Sequence, residues 1–94
     1  MGGSTGKKLV TAYTEASVLA LCHMEVYGKM VVRDIKKFGY PDKMRNALRS
    51  NAFGWFERSG RYDYGMSVKG LEVFDDDEYK ELIEFYRKEV QKNV

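Results

Sequence analysis

One cysteine and one histidine are all that the 94 residues offer of the two side-chain types most used in metal and nucleophile chemistry. A lone cysteine forms no internal disulfide, which suits a reducing compartment and points to a cytoplasmic location. No Cys/His set has zinc spacing. No apolar run approaches the roughly 18 residues of a membrane span, so no membrane partner is expected. Internal repeats and low-complexity segments are absent as well. His23 and Cys22 are neighbours within an apolar helical stretch, and adjacent helical positions do not share a face. A His–Cys catalytic pair is therefore not expected, and His23 reads as a structural residue.

What is there points to one small domain with an aromatic core. The hydrophobic fraction of 44% is enough for a single core, and seven Tyr, five Phe and one Trp make up much of it. The opening MGGSTGKK has no apolar segment behind it and reads as a flexible tail over residues 1–8. The net charge of +2 hides an asymmetry. Residues 28–70 carry ten Lys or Arg against four acids, a net +6, whereas residues 71–94 carry four against eight, a net −4. A basic middle and an acidic end suit one face for a polyanion and another turned away from it.

Thr14 is expected to cap a helix that runs to Tyr27 and stops at Gly28. Its residues from Ala16 to Val26 are apolar on nearly every side, so it must be buried by other helices or by a second chain. Lys29 to Val31 suits a short strand. Val32, Ile35 and Phe38 then fall on one face of a two-turn helix that ends at Gly39. Pro41 is expected at the first position of the next helix, with Asp42 near its positive end. In that helix Met44, Ala47 and Leu48 face the core, and Arg45, Asn46 and Arg49 point the other way, with Lys43 and Ser50 toward the edges.

Trp55 to Arg58 and Tyr62 to Met66 read as strands around Ser59-Gly60-Arg61. Phe56 is expected to face the core with Tyr62, Tyr64 and Met66 opposite, although one residue of slip would exchange the two faces. Ser67 caps a turn of helix through Phe74. A last helix over residues 75–94 begins on the acids Asp75 to Glu78. Its stripe of Tyr79, Leu82, Ile83, Tyr86 and Val90 packs either on the first helix or on the same stripe of a second copy, which would make a homodimer.

Helix, turn, helix and two-stranded ribbon is the order of parts in a winged helix. The expected fold is therefore α+β, mainly α: a winged helix-turn-helix over residues 9–74, with a three-helix core, a β-hairpin wing and an additional C-terminal helix. A helix bearing Arg45, Asn46 and Arg49 has the side-chain types that read guanine and adenine in a major groove. Arg58 and Arg61 on the wing would touch the backbone or the minor groove. Lys36, Lys37 and Lys43 would hold phosphates, and Ser50 lies at the edge of the same surface. The expected partner is double-stranded DNA, contacted without catalysis. The alternative is a protein-interaction or dimerisation module whose basic face meets an acidic partner.

Other chemistry is weakly signalled. The Asp75–Glu78 run is explained by a helix start before a cation site. Glu78-Tyr79-Lys80 has the Glu-x-Lys form of some nucleases, but no strand or upstream aspartate supports it. Neither a metal, a small-molecule cofactor nor an enzymatic activity is expected.

Three stretches, LVTAYTEASVLALC, VVRDIKKFG and LRSNAFGWFERSGRYDYGMSVKG, resemble the winged-helix module at the carboxyl end of bacterial PD-(D/E)XK-type phosphodiesterases. In that module an Asn-x-x-Gly-Trp-Phe-Glu run links the recognition helix to the wing, here Asn51, Gly54, Trp55, Phe56 and Glu57. The resemblance implies a DNA-associated accessory domain. It carries over no catalytic residue, and the helix over 75–94 extends beyond the module.

Overall fold

The computed structural model describes residues 11–92, and the tail expected over 1–8 lies outside them. The chain runs α1 (Ala12–Tyr27), β1 (Met30–Val31), α2 (Val32–Lys37), α3 (Lys43–Ser50), β2 (Phe56–Arg58), β3 (Asp63–Met66) and α4 (Val68–Val73). A single 3-10 turn, Asp77–Tyr79, then leads into α5 (Lys80–Gln91). The fold is α+β and mainly helical, with one small antiparallel sheet in the order β1-β3-β2.

α1 begins one turn earlier than the sequence suggested. Thr11, not Thr14, is the N-cap: its backbone is extended, and its hydroxyl accepts the Thr14 N–H at 3.2 Å. The helix ends as expected at Gly28, whose φ of 86° is the left-handed cap conformation. Every residue from Ala16 to Met24 is buried. The cover comes from the chain itself, with α5 on one side, α3 on another and β1 and β3 across the end. Ser17 is tolerated inside because its hydroxyl donates to the Tyr13 carbonyl at 2.9 Å.

α3 starts later than expected. Asp42 is the N-cap, so Pro41 precedes the helix instead of opening it, and its carbonyl accepts the Met44 N–H at 3.0 Å. The division of faces holds: Met44, Ala47 and Leu48 are buried, while Lys43, Arg45, Asn46, Arg49 and Ser50 are exposed.

In the sheet, Phe56 pairs with Met66 and Arg58 with Tyr64. β1 joins the far side of β3, pairing Met30 with Tyr64 and Val31 with Asp63. Phe56 and Tyr64 are buried as expected, but Tyr62 is 60% exposed. The expected strand began at Tyr62, but β3 starts at Asp63, so Tyr62 lies in the bend of the hairpin, outside the paired and buried part of the ribbon.

α4 is capped by Ser67, whose hydroxyl accepts the Gly70 N–H at 3.2 Å and donates to the Gly54 carbonyl at 2.6 Å. Gly70 lies so close to the Trp55 carbonyl oxygen that a Cβ there would collide with it and crowd Leu21. Backbone therefore packs on backbone where α4 meets the ribbon.

The stripe on the last helix is used inside the chain. Tyr79, Ile83 and Val90 are buried, and Leu82 and Tyr86 pack on the same core. Of the two readings of this stripe, packing on the first helix is the one the structure realises: α1 needs cover along its length, and α5 supplies it. Arg87 adds a two-armed contact from α5 to Glu25 of α1, at 2.7 and 2.9 Å. Both partners are well exposed, so the pair contributes at most about 1 kcal/mol. Each large apolar side chain buried beneath it contributes roughly 1.5–3 kcal/mol. Burial, not the ion pair, holds α5 in place.

Candidate nucleic-acid interface

The outer face of α3 is positioned from both of its ends. At the C-terminal end, the Tyr13 hydroxyl lies 2.8 Å from Ser50 Oγ and accepts the Ala52 N–H at 2.9 Å. Ser50 is thereby tied to α1, although it stays exposed at the edge of the helix. Asn51 follows in the left-handed conformation, φ 47°. Its amide donates to the Phe56 carbonyl at 2.8 Å and its side-chain oxygen accepts the Phe56 N–H at 3.1 Å. One side chain thus fixes the first residue of β2 to the end of α3. Gly54, at φ 72°, makes the reversal between them that a side chain would strain. Phe53 stacks on Trp55 at 4.5 Å, and Trp55 meets Tyr79 edge-on at 5.4 Å.

At the other end, the turn between α2 and α3 rests on a buried polar knot. His23 is 1% exposed. Its Nδ1 lies 2.9 Å from the Tyr40 hydroxyl and its Nε2 3.7 Å from the Asp34 carboxylate. The Nε2-protonated tautomer satisfies both, with Tyr40 donating to Nδ1. Burial pulls the His23 pKa below its ordinary value, and the Asp34 carboxylate opposes that only in part. Burial likewise pushes Tyr40 up to about 12. Asp34 also accepts the Val31 N–H at 3.1 Å, closing the first turn of α2. His23 is therefore a structural residue, as the sequence suggested, and more completely buried than expected. Cys22 beside it, pushed up to about 12 chiefly by burial, is no thiolate at neutral pH.

Between α3 and the ribbon lies a trough. One part, about 280 Å3, is lined by Arg45, Arg49, Arg58, Arg61, Val32, Tyr62 and Tyr64. It continues into a wider part of about 670 Å3 that adds Arg33 and Lys36 of α2, together with Val31 and Asp63. The helix arginines and the ribbon arginines therefore face one concavity. Arg58 braces the hairpin loop, donating to the Gly60 and Arg61 carbonyls at 3.3 and 2.8 Å. Among the described residues Arg33, Lys36, Arg45, Arg49 and Arg61 form no ion pair, whereas Lys29, Arg87 and Lys92 each meet a carboxylate. The trough thus gathers five cations with no carboxylate partner among the described residues, and such a cluster attracts an anion.

Not every expected residue takes part. Lys37, Lys43 and Asn46 are exposed but line neither part of the trough. Tyr62 lines both parts and had been assigned to the core. No feature of the alternation distinguishes it from Tyr64; only the extent of the core does.

No metal centre is built from the described residues. No group of three His, Cys, Asp or Glu side chains among them could hold a metal. Asp76 Oδ1 accepts the Glu78 N–H at 3.0 Å, so part of the acidic run serves as a cap. Glu78-Tyr79-Lys80 runs from the 3-10 turn into α5, not along a strand, and joins no carboxylate cluster among the described residues.

A model of the family described as "Putative PD-(D/E)XK phosphodiesterase" matches residues 1–73. No curated protein and no solved structure matches the chain. The match overturns the expectation that the chain is not an enzyme, since the matched family is described as a "Putative PD-(D/E)XK phosphodiesterase". Among the described residues no helix is long and apolar enough to cross a membrane.

Proposed function

The chain belongs to the family described as "Putative PD-(D/E)XK phosphodiesterase", and on that premise we propose that it is a winged helix whose trough holds double-stranded DNA, a phosphodiester polymer. The observation that carries this reading is the convergence of unpaired Arg45, Arg49 and Arg61 on one concavity, with Arg33 and Lys36 at its far end. The element order α1-β1-α2-α3-β2-β3 supports the fold assignment. α3 has two turns and is about 12 Å long, a size that enters a major groove edge-on. Arg45 and Arg49 then reach base edges, and Asn46 lies beside them. Arg61 and Arg58 follow the backbone from the wing, and Arg33 and Lys36 hold the phosphates on the other side.

Binding of a mixed-sequence duplex, followed by fluorescence anisotropy at two salt concentrations, tests this. The four phosphate contacts from Arg33, Lys36, Arg58 and Arg61 give a roughly 150-fold loss of affinity between 50 and 200 mM salt. The double variant Arg45→Glu/Arg61→Glu abolishes binding while the fold is kept, because both side chains are exposed. Absence of binding at low salt sinks the proposal. It would favour a protein partner, for which Val68 and Leu71, 69% and 54% exposed on α4, offer an apolar surface.

A further inference from the structure

Tyr62 is the aromatic residue that the core leaves unused. Its ring is 60% exposed, and among the described residues it stacks on no other ring. Its main chain is nevertheless fixed. The Val32 N–H, a first-turn donor of α2 with no partner inside its own helix, donates to the Tyr62 carbonyl at 3.1 Å. Asp63, the next residue, is paired with Val31 across the sheet. The ring is thus carried on a rigid mount, at the meeting of the two parts of the trough, both of which Arg45 and Arg61 also line.

A ring so placed has one obvious partner among the parts of a nucleic acid. Phosphates are taken by the cations around it, and a π-face stacks on a base. Inside a duplex each base face already rests on its neighbours. A free face is presented only where pairing stops, at a frayed end, a fork or an unpaired nucleotide.

We propose that Tyr62 is a base-stacking residue and that the trough prefers a junction between double- and single-stranded DNA to a continuous duplex. The duplex lies along α3 and the wing, and the first unpaired base turns onto the Tyr62 ring. The inference rests on the duplex-binding reading above and narrows it to a substrate class.

The test compares a blunt duplex with a forked one of equal paired length, using the full chain, by anisotropy at low salt. A 2-aminopurine at the first unpaired position reports stacking directly. The expected result is a fork preference of between about 5- and 100-fold, with quenching of the 2-aminopurine. Tyr62→Phe keeps both. Tyr62→Leu, which retains apolar area but no ring, loses both, so that its affinity for the fork falls to its own affinity for the blunt duplex. Because the side chain is exposed and the anchoring bond is made by the main chain, either variant folds, and circular dichroism checks that. Equal affinity for fork and duplex in the unaltered chain overturns this inference and leaves duplex binding standing. A fork preference that survives Tyr62→Leu removes Tyr62 from the role. Failure to bind either DNA overturns the duplex reading, and this inference with it.

Discussion

The Asn51 side chain holds both main-chain polar groups of Phe56, donating at 2.8 Å and accepting at 3.1 Å, so the end of α3 and the start of the ribbon are one unit. The distance between helix and hairpin arginines depends on this clasp. Asn51→Ala removes two hydrogen bonds and puts a Cβ-branchless but less permissive residue at φ 47°. The expected loss of stability is about 1–3 kcal/mol by urea unfolding. Asn51→Gly relieves the backbone strain without restoring the bonds. If it matches the unaltered chain in stability, the clasp contributes nothing.

Arg49 and Lys36 should behave differently toward DNA. Arg49 leaves α3 toward the trough, and its replacement by Ala is expected to cost about 1–3 kcal/mol at the best site if it reads a guanine. Lys36, on α2, holds a phosphate; Lys36→Ala lowers affinity evenly across sequences and reduces the salt slope by about one. Anisotropy titrations on a selected site and on a random duplex separate the two. Equal losses on both DNAs for Arg49→Ala would make it a phosphate contact.

His23 makes stability depend on pH in a stated direction. Its folded pKa lies below the unfolded value of 6.5, because burial disfavours the charged ring. The unfolded chain therefore takes up a proton first as pH falls. The contribution of the neutral ring is complete above 6.5 and is lost progressively as pH drops from there toward the folded pKa. His23→Gln, which can still bond Tyr40, flattens the change in unfolding free energy between about pH 7.5 and 5.5. An identical pH profile for the variant would show that the titration belongs elsewhere.

The last helix offers a stability contrast between two residues of one turn. Ile83 is 3% exposed and Phe85 is 56% exposed. Ile83→Ala is expected to cost roughly 2–5 kcal/mol, the range for a buried aliphatic cut to alanine. Phe85→Ala is expected to stay within about 0.5 kcal/mol. Thermal unfolding of both variants decides whether α5 is part of the cooperative unit; a small effect of Ile83→Ala means it is not.

Much of the fold was legible because it is periodic. Met44, Ala47 and Leu48 announce the inner face of α3 by spacing alone, and the outer arginines follow. The stop at Gly28 and the cap at Ser67 were equally plain. What could not be read depends on partners far along the chain. Thr11 and Thr14 both suit a cap, and the choice of Thr11 brings Tyr13 into the helix, where it meets Ser50 and Ala52. Tyr62 obeys the same alternation as Tyr64, but β3 starts only at Asp63, which leaves Tyr62 in the bend of the hairpin. Tyr79, Ile83 and Val90 make the same stripe for a monomer or a dimer, and only the packing of α5 on α1 distinguishes them. The trough itself needs the register of a sheet whose third strand, β1, comes from before α2.

The burial of α1 on all sides sets a timetable for synthesis. α1 is among the first elements made, and α5, which covers one side of it, is the last. Until the ribosome has delivered α5, an apolar helix is left with a bare flank. The nascent chain is at that stage a client for holding factors and prone to clump with its siblings. Completion of the fold is thus postponed until α5 has been made, and slow translation of the stretch between α1 and α5 would harm yield without altering a single contact in the folded domain.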